Sequence, residues 1–97
     1  MTAPRTVAES LRAKFETAFG PVELVIVDES AHHAGHSGAR DGGQSHFRVR
    51  IVSASFAGLS RVERQRRVYA LAAEEIAAGL HALALTTLTP EEAAKQS

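Results

Sequence analysis

Residues 56–87, FAGLSRVERQRRVYALAAEEIAAGLHALALTT, decide the fold. The stretch reads as a turn, a helix, a glycine stop and an apolar strand that opens on His81. Ser60-Arg61-Val62-Glu63 has the form of a capping box, in which the hydroxyl accepts from an orphan amide and the glutamate reaches back. Val68, Leu71, Ala72 and Ile76 then recur at helical spacing, with Tyr69 beside them. Gly79 followed by Leu80 suits a glycine-terminated helix with a hydrophobic contact just beyond it. From His81 to Thr87 the chain alternates, with Leu83 and Leu85 on the side of a core.

Working back from this unit, His46 to Ser53 is a second strand. Phe47, Val49 and Ile51 alternate with His46, Arg48 and Arg50, as in a half-exposed antiparallel strand. Val22 to Asp28 is a third β-branched run, apolar on both faces, and so is expected to be covered on both. Ahead of it, Thr6-Val7-Ala8-Glu9 is another capping box. Val7, Leu11, Phe15 and Ala18 give the helix that follows one apolar stripe, and Gly20-Pro21 ends it. At the other end, Thr89-Pro90-Glu91-Glu92 caps a short last helix with proline at its first position. Residues 1–5 and 93–97 are expected to fray. Residues 29–45, with four glycines and three histidines, form a flexible loop.

The order α-β-β-α-β-α predicts a single α+β domain over residues 1–97. A long helix between the second and third strands suits a crossover, hence a three-stranded mixed sheet with helices packed on one face. At 97 residues, 44% hydrophobic and 23% charged, the chain is an ordinary small globular domain. Lysine plus arginine equals aspartate plus glutamate at 11 each, so a nucleic-acid role needs a local patch. There is no cysteine, which excludes disulfides, thiolate metal sites and a cysteine nucleophile within this chain. No run is long and apolar enough to span a membrane, and a cytoplasmic location is expected.

Two groups of residues carry chemistry. His32, His33 and His36 lie in the loop, while His46 and His81 open strands; imidazole suits zinc, copper, nickel and iron. The plainer reading is a solvated polar loop and, for His81, a capping or edge histidine bonded to backbone. Arg61, Arg64, Arg66 and Arg67 cluster on the second helix, and with Arg48 and Arg50 they would make one positive surface for phosphates or an acidic partner. The plainer reading is a solvated helix face paired with Glu63, Glu74 and Glu75. Neither Gly20 to Glu23 nor Gly58 to Arg61 completes a G-x-x-G clamp. An acid–base pair of Asp28 or Glu29 with His33 lacks a nucleophile and an oxyanion donor, and a non-enzymatic role is expected.

The chain resembles the BolA family. The matching residues are Asp28-Glu29-Ser30; Ser45-His46-Phe47 with Val49; Ile51-Val52-Ser53; Phe56, Gly58 and Ser60; Arg64, Arg66, Val68 and Tyr69; and His81-Ala82-Leu83-Ala84-Leu85 followed by Thr89-Pro90. They run from about Leu11 to Glu92. The resemblance implies an αββαβα fold related to class II KH domains, in agreement with the order above. It implies a heterodimer with a monothiol glutaredoxin of the CGFS type, sharing a 2Fe–2S cluster whose other iron takes a glutaredoxin cysteine and a glutathione thiol. His81 matches the family's strand-opening ligand, and His33 matches the loop ligand of the histidine branch, with His32 and His36 as neighbours in contention. Some members are assigned a DNA-binding, transcriptional role, which here would fall to the basic second helix. No membrane or small-molecule substrate is implied. Gln65 departs from the family's usual R-H-R, where this chain has Arg64-Gln65-Arg66. A third reading is a histidine-loop metal binder acting alone.

Overall fold

The structure is a computed structural model that describes residues 6–29 and 46–96. The first helix, α1, spans Val7–Phe19. Its N-terminus is closed as the capping box predicts: the Glu9 N–H donates to Thr6 Oγ1 at 3.1 Å, and the Thr6 N–H donates to the Glu9 carboxylate at 2.9 Å. Gly20 ends the helix at φ 51°, in the left-handed region that glycine enters without a steric penalty. The buried row is Leu11, Phe15 and Phe19; Ala18, expected in the stripe, is exposed. A row of i, i+4, i+8 keeps three large side chains on one face, and a methyl group one residue earlier adds nothing to it.

Three strands follow the expected pattern: β1 over Glu23–Asp28, β2 over His46–Val52 and β3 over Ala82–Leu88. The last begins one residue after His81. The sheet order is β1-β2-β3, with β1 antiparallel and β3 parallel to the central β2. Ile26 lies opposite Val49, and Val49 opposite Leu85. Phe47, Val49 and Ile51 turn into the core, where they meet Leu11, Phe15 and Phe19 of α1 together with Phe56, Val68, Ala72, Leu80 and Leu83. Full burial of each such phenylalanine or leucine contributes roughly 1.5–3 kcal/mol. The expectation that β1 is covered on both faces fails. It is an edge strand whose Val25 and Val27 are 39% and 43% exposed, because all the core-forming helices lie on the other side.

The second helix is also not continuous. It divides into α2, Arg61–Leu71, and α3, Ala73–Ala77, with Ala72 between them at φ −89°, ψ 6°. Lys14 of α1 reaches this junction. Its Nζ donates to the Leu71 carbonyl at 3.3 Å and to the carboxylates of Glu74 at 2.8 Å and Glu75 at 3.0 Å. A donor from outside that takes a helix carbonyl is a recognised cause of a kink. The end of α3 is a Schellman motif: the Leu80 N–H donates to the Glu75 carbonyl and the Gly79 N–H to the Ile76 carbonyl, with Gly79 at φ 128° and Leu80 buried. Finally α4, Pro90–Lys95, is capped by Thr89 and Glu92 with Pro90 at the first helical position. The loop histidines His32, His33 and His36 lie outside the described residues.

Candidate metal centre

His81 is placed by the stop before it and the strand after it. Leu80 is anchored in the core, so the chain must leave the helix layer at residue 81 and enter the sheet at Ala82. The imidazole is left exposed at the rim of a shallow pocket of about 280 Å³, lined also by Tyr69, Ile76, Leu80, Ala82 and Leu83. Tyr69 and Ile76 are each 41% exposed, so the rim is open. The Tyr69 hydroxyl donates to the Leu83 carbonyl at 2.8 Å, which holds the ring against the outer edge of β3.

The parallel register brings a second histidine to this place. His46 lies opposite Ala82, and the rings of His46 and His81 have centroids 6.1 Å apart with planes at 43°. His46 was recognisable only as a strand opener. The available signal was that two parallel strands both begin on histidine, which puts both openings at the same end of the sheet. Among the described residues no three histidines, cysteines, aspartates or glutamates converge on one point, so the described scaffold offers a pair of imidazoles.

The arginines do not form one surface. Arg48 and Arg50 project from the sheet face opposite the core, where Arg48 pairs with Glu29 at 2.9 Å and Arg50 with Glu23 at 3.3 Å. Arg64 is 8% exposed and has a structural position. Its guanidinium donates to the carbonyls of Leu59 at 3.0 Å and Thr87 at 3.1 Å and to the Glu92 carboxylate at 2.7 Å, with the Phe56 ring below. The hydrogen bonds from Arg64 hold the Glu92 carboxyl down to about 2, helped by the Thr89 backbone amide. Arg61, Arg66 and Arg67 are exposed on α2. The expected pairing of these arginines with glutamates is replaced by other contacts. Glu74 and Glu75 bind Lys14, and Glu63 caps its own helix, its carboxyl lowered first by the Ser60 backbone amide. Glu29, one of the carboxylates considered for acid–base work, is the partner of Arg48.

No helix among the described residues is long and apolar enough to cross a membrane. The sequence matches the family described as BolA-like protein over residues 15–92. The chloroplastic BOLA1 protein of Arabidopsis thaliana is 47% identical over 87 residues, 88% of this chain and 54% of that protein, so the chain spans about half the length of this relative. The DNA-binding transcriptional regulator BolA of Escherichia coli is 41% identical over 86 residues, covering 89% of this chain and 78% of that one. Among solved structures, BolA1 from Arabidopsis thaliana superposes with a TM-score of 0.80 at 43% identity, over 92% of this chain and 98% of that chain.

Proposed function

The chain belongs to the BolA-like protein family, and on that premise we propose that it is a non-enzymatic adaptor that binds a monothiol glutaredoxin and shares a 2Fe–2S cluster with it. The observation that supports this reading is the position of His81, an exposed imidazole at the rim of an open pocket. Cluster iron accepts imidazole in place of thiolate. A chain without cysteine must supply its share of the ligands from such groups. The donor chemistry therefore fits. His81 is one ligand, and His33, as the family resemblance implies, is the second, with His32 and His36 beside it. A glutaredoxin cysteine and a glutathione thiol hold the other iron. When bound, the cluster supplies one-electron redox chemistry or is itself the cargo. The chain's own part is to present His81 on a rigid strand start and to offer Tyr69 and Ile76 as contact area for the partner.

Anaerobic reconstitution with a CGFS glutaredoxin and glutathione tests this, read by visible circular dichroism. A spectrum distinct from that of the glutaredoxin homodimer, and lost in His81→Ala, is the expected result. An unchanged spectrum in His81→Ala would falsify the ligand assignment. Repeating the measurement with His33→Ala reads the loop ligand.

A second reading is DNA binding through Arg61, Arg66 and Arg67. It draws on the exposure of these three side chains and on the printed name of the Escherichia coli relative. Arg64 does not contribute to it.

A further inference from the structure

We propose that Tyr69 is a positioning residue for His81: its hydroxyl pins the start of β3 to α2 and so fixes where the imidazole stands. The inference rests on the reading of His81 as a cluster ligand.

The pattern along β3 is the first argument. β3 is an edge strand of the described sheet. The Leu88 carbonyl accepts from the Ser53 N–H on the β2 side at 2.9 Å. Backbone groups alternate in direction along a paired strand, so the carbonyls of Leu83 and Thr87 turn to the outer edge. Both are taken there by side chains of α2. The Arg64 guanidinium donates to Thr87 at 3.1 Å, and the Tyr69 hydroxyl donates to Leu83 at 2.8 Å. One helix thus holds the strand at both ends of its outer edge. Arg64 is interior and joins α4 as well. Tyr69, at the other end, borders the same pocket as His81.

The surroundings of His81 are the second argument. Leu80 anchors the chain on one side of it and Leu83 on the other, both buried. Between them stand only His81 and Ala82, both exposed. A methyl group and an exposed imidazole supply little packing to hold these two residues. Ala82 lies opposite His46, the first residue of β2, so the ladder begins here, and the ends of ladders open most readily. The Tyr69 bond fixes a carbonyl two residues beyond His81, from the outer side of the described sheet. It therefore limits how far this end opens. The groups that orient a metal-ligating imidazole tune the metal centre, as the ligand's identity does.

Tyr69→Phe tests the proposal, because it keeps the ring and its contact area and removes the hydroxyl alone. The first readout is amide hydrogen exchange of the free chain. The alternation along β3 turns the Ala84 and Thr86 N–H groups toward β2, Ala84 beside the pinned carbonyl and Thr86 beyond it. We expect exchange at Ala84 to quicken roughly two- to tenfold, as loss of one hydrogen bond implies, with Thr86 unchanged. The second readout is reconstitution with a CGFS glutaredoxin and glutathione. Both proteins should form the heterodimer, but the variant should show an altered visible circular dichroism spectrum and lose its cluster to a chelator several-fold faster. Equal acceleration at Ala84 and Thr86 would mean that Tyr69 supports the fold as a whole, and no acceleration that its bond does not hold this end. Either result overturns the inference, and so does parent-like spectrum and cluster loss in the variant. Absence of a heterodimer spectrum from the unsubstituted protein would instead sink the cluster reading, and the inference with it.

Discussion

Arg64 shows how one side chain joins three elements. It lies on α2, binds a carbonyl of β3 and pairs with Glu92 of α4, while its guanidinium rests over Phe56. Its removal leaves the Leu59 and Thr87 carbonyls without this donor in a place where water has little access. Arg64→Ala should cost about 3 kcal/mol, within the range for loss of one partner from a buried charged network. Arg64→Lys should recover only part, since an ammonium cannot make the forked contact to Glu92. Urea denaturation of the two variants measures both. The Glu92 carboxyl adds a pH signature. Held near 2 in the folded state and near about 4.3 when unfolded, it stabilises the protein at neutral pH. That contribution declines as pH falls below the unfolded value and is gone once pH passes the folded one. The gap in urea midpoint between the parent protein and Glu92→Gln should therefore be full at pH 7 and close as pH approaches 2. A gap independent of pH would show that the pair with Arg64 is not its source.

The elements end and bend for reasons of different range, and this decides what the sequence reveals. All three capping boxes and the stops at Gly20 and Gly79 were legible, because each is settled within four or five residues. Gly79 gives a clean test. An added Cβ would meet nothing within 4 Å, so only the positive φ of 128° resists substitution. Gly79→Ala should cost about 1–2 kcal/mol, a backbone penalty without a clash. Because Gly79 sets the exit of the chain toward His81, the same variant should also weaken the cluster spectrum formed with the glutaredoxin. The break at Ala72 was not legible. It depends on Lys14, 57 residues from the carbonyl it takes. Bonds to Glu74 first, and then to Glu75, raise the Lys14 pKa. Burial opposes ionisation of Glu75, but bonds from Ser10 and Lys14 outweigh it and its carboxyl is lowered. Lys14→Ala should lower the thermal midpoint and raise the Glu75 pKa, read by carboxyl-carbon NMR against pH. Lys14→Met, which keeps the stem and loses the ammonium, should do the same.

Strand order is the feature of the whole molecule from which the other differences follow. Alternation within His46 to Ser53 identified the inward face of β2, but no local pattern says which strand is central. Once β2 is central, β1 becomes an exposed edge, Arg48 and Arg50 face away from α2, and His46 meets His81. The six arginines grouped by sequence separate into two paired on the open sheet face, one in the interior and three exposed on α2. This division bears on any contact with DNA through the second helix. Arg61, Arg66 and Arg67 together neutralise at most three phosphates, so they contribute no more than about −2.7 to the log–log slope of affinity against salt for duplex DNA. The combined variant Arg61→Ala, Arg66→Ala and Arg67→Ala should remove that contribution from the slope, whereas Arg48→Ala with Arg50→Ala should leave it unchanged. Fluorescence anisotropy on a labelled duplex across a salt series gives the slope directly. A slope that the triple variant leaves unchanged would place the contact elsewhere on the molecule.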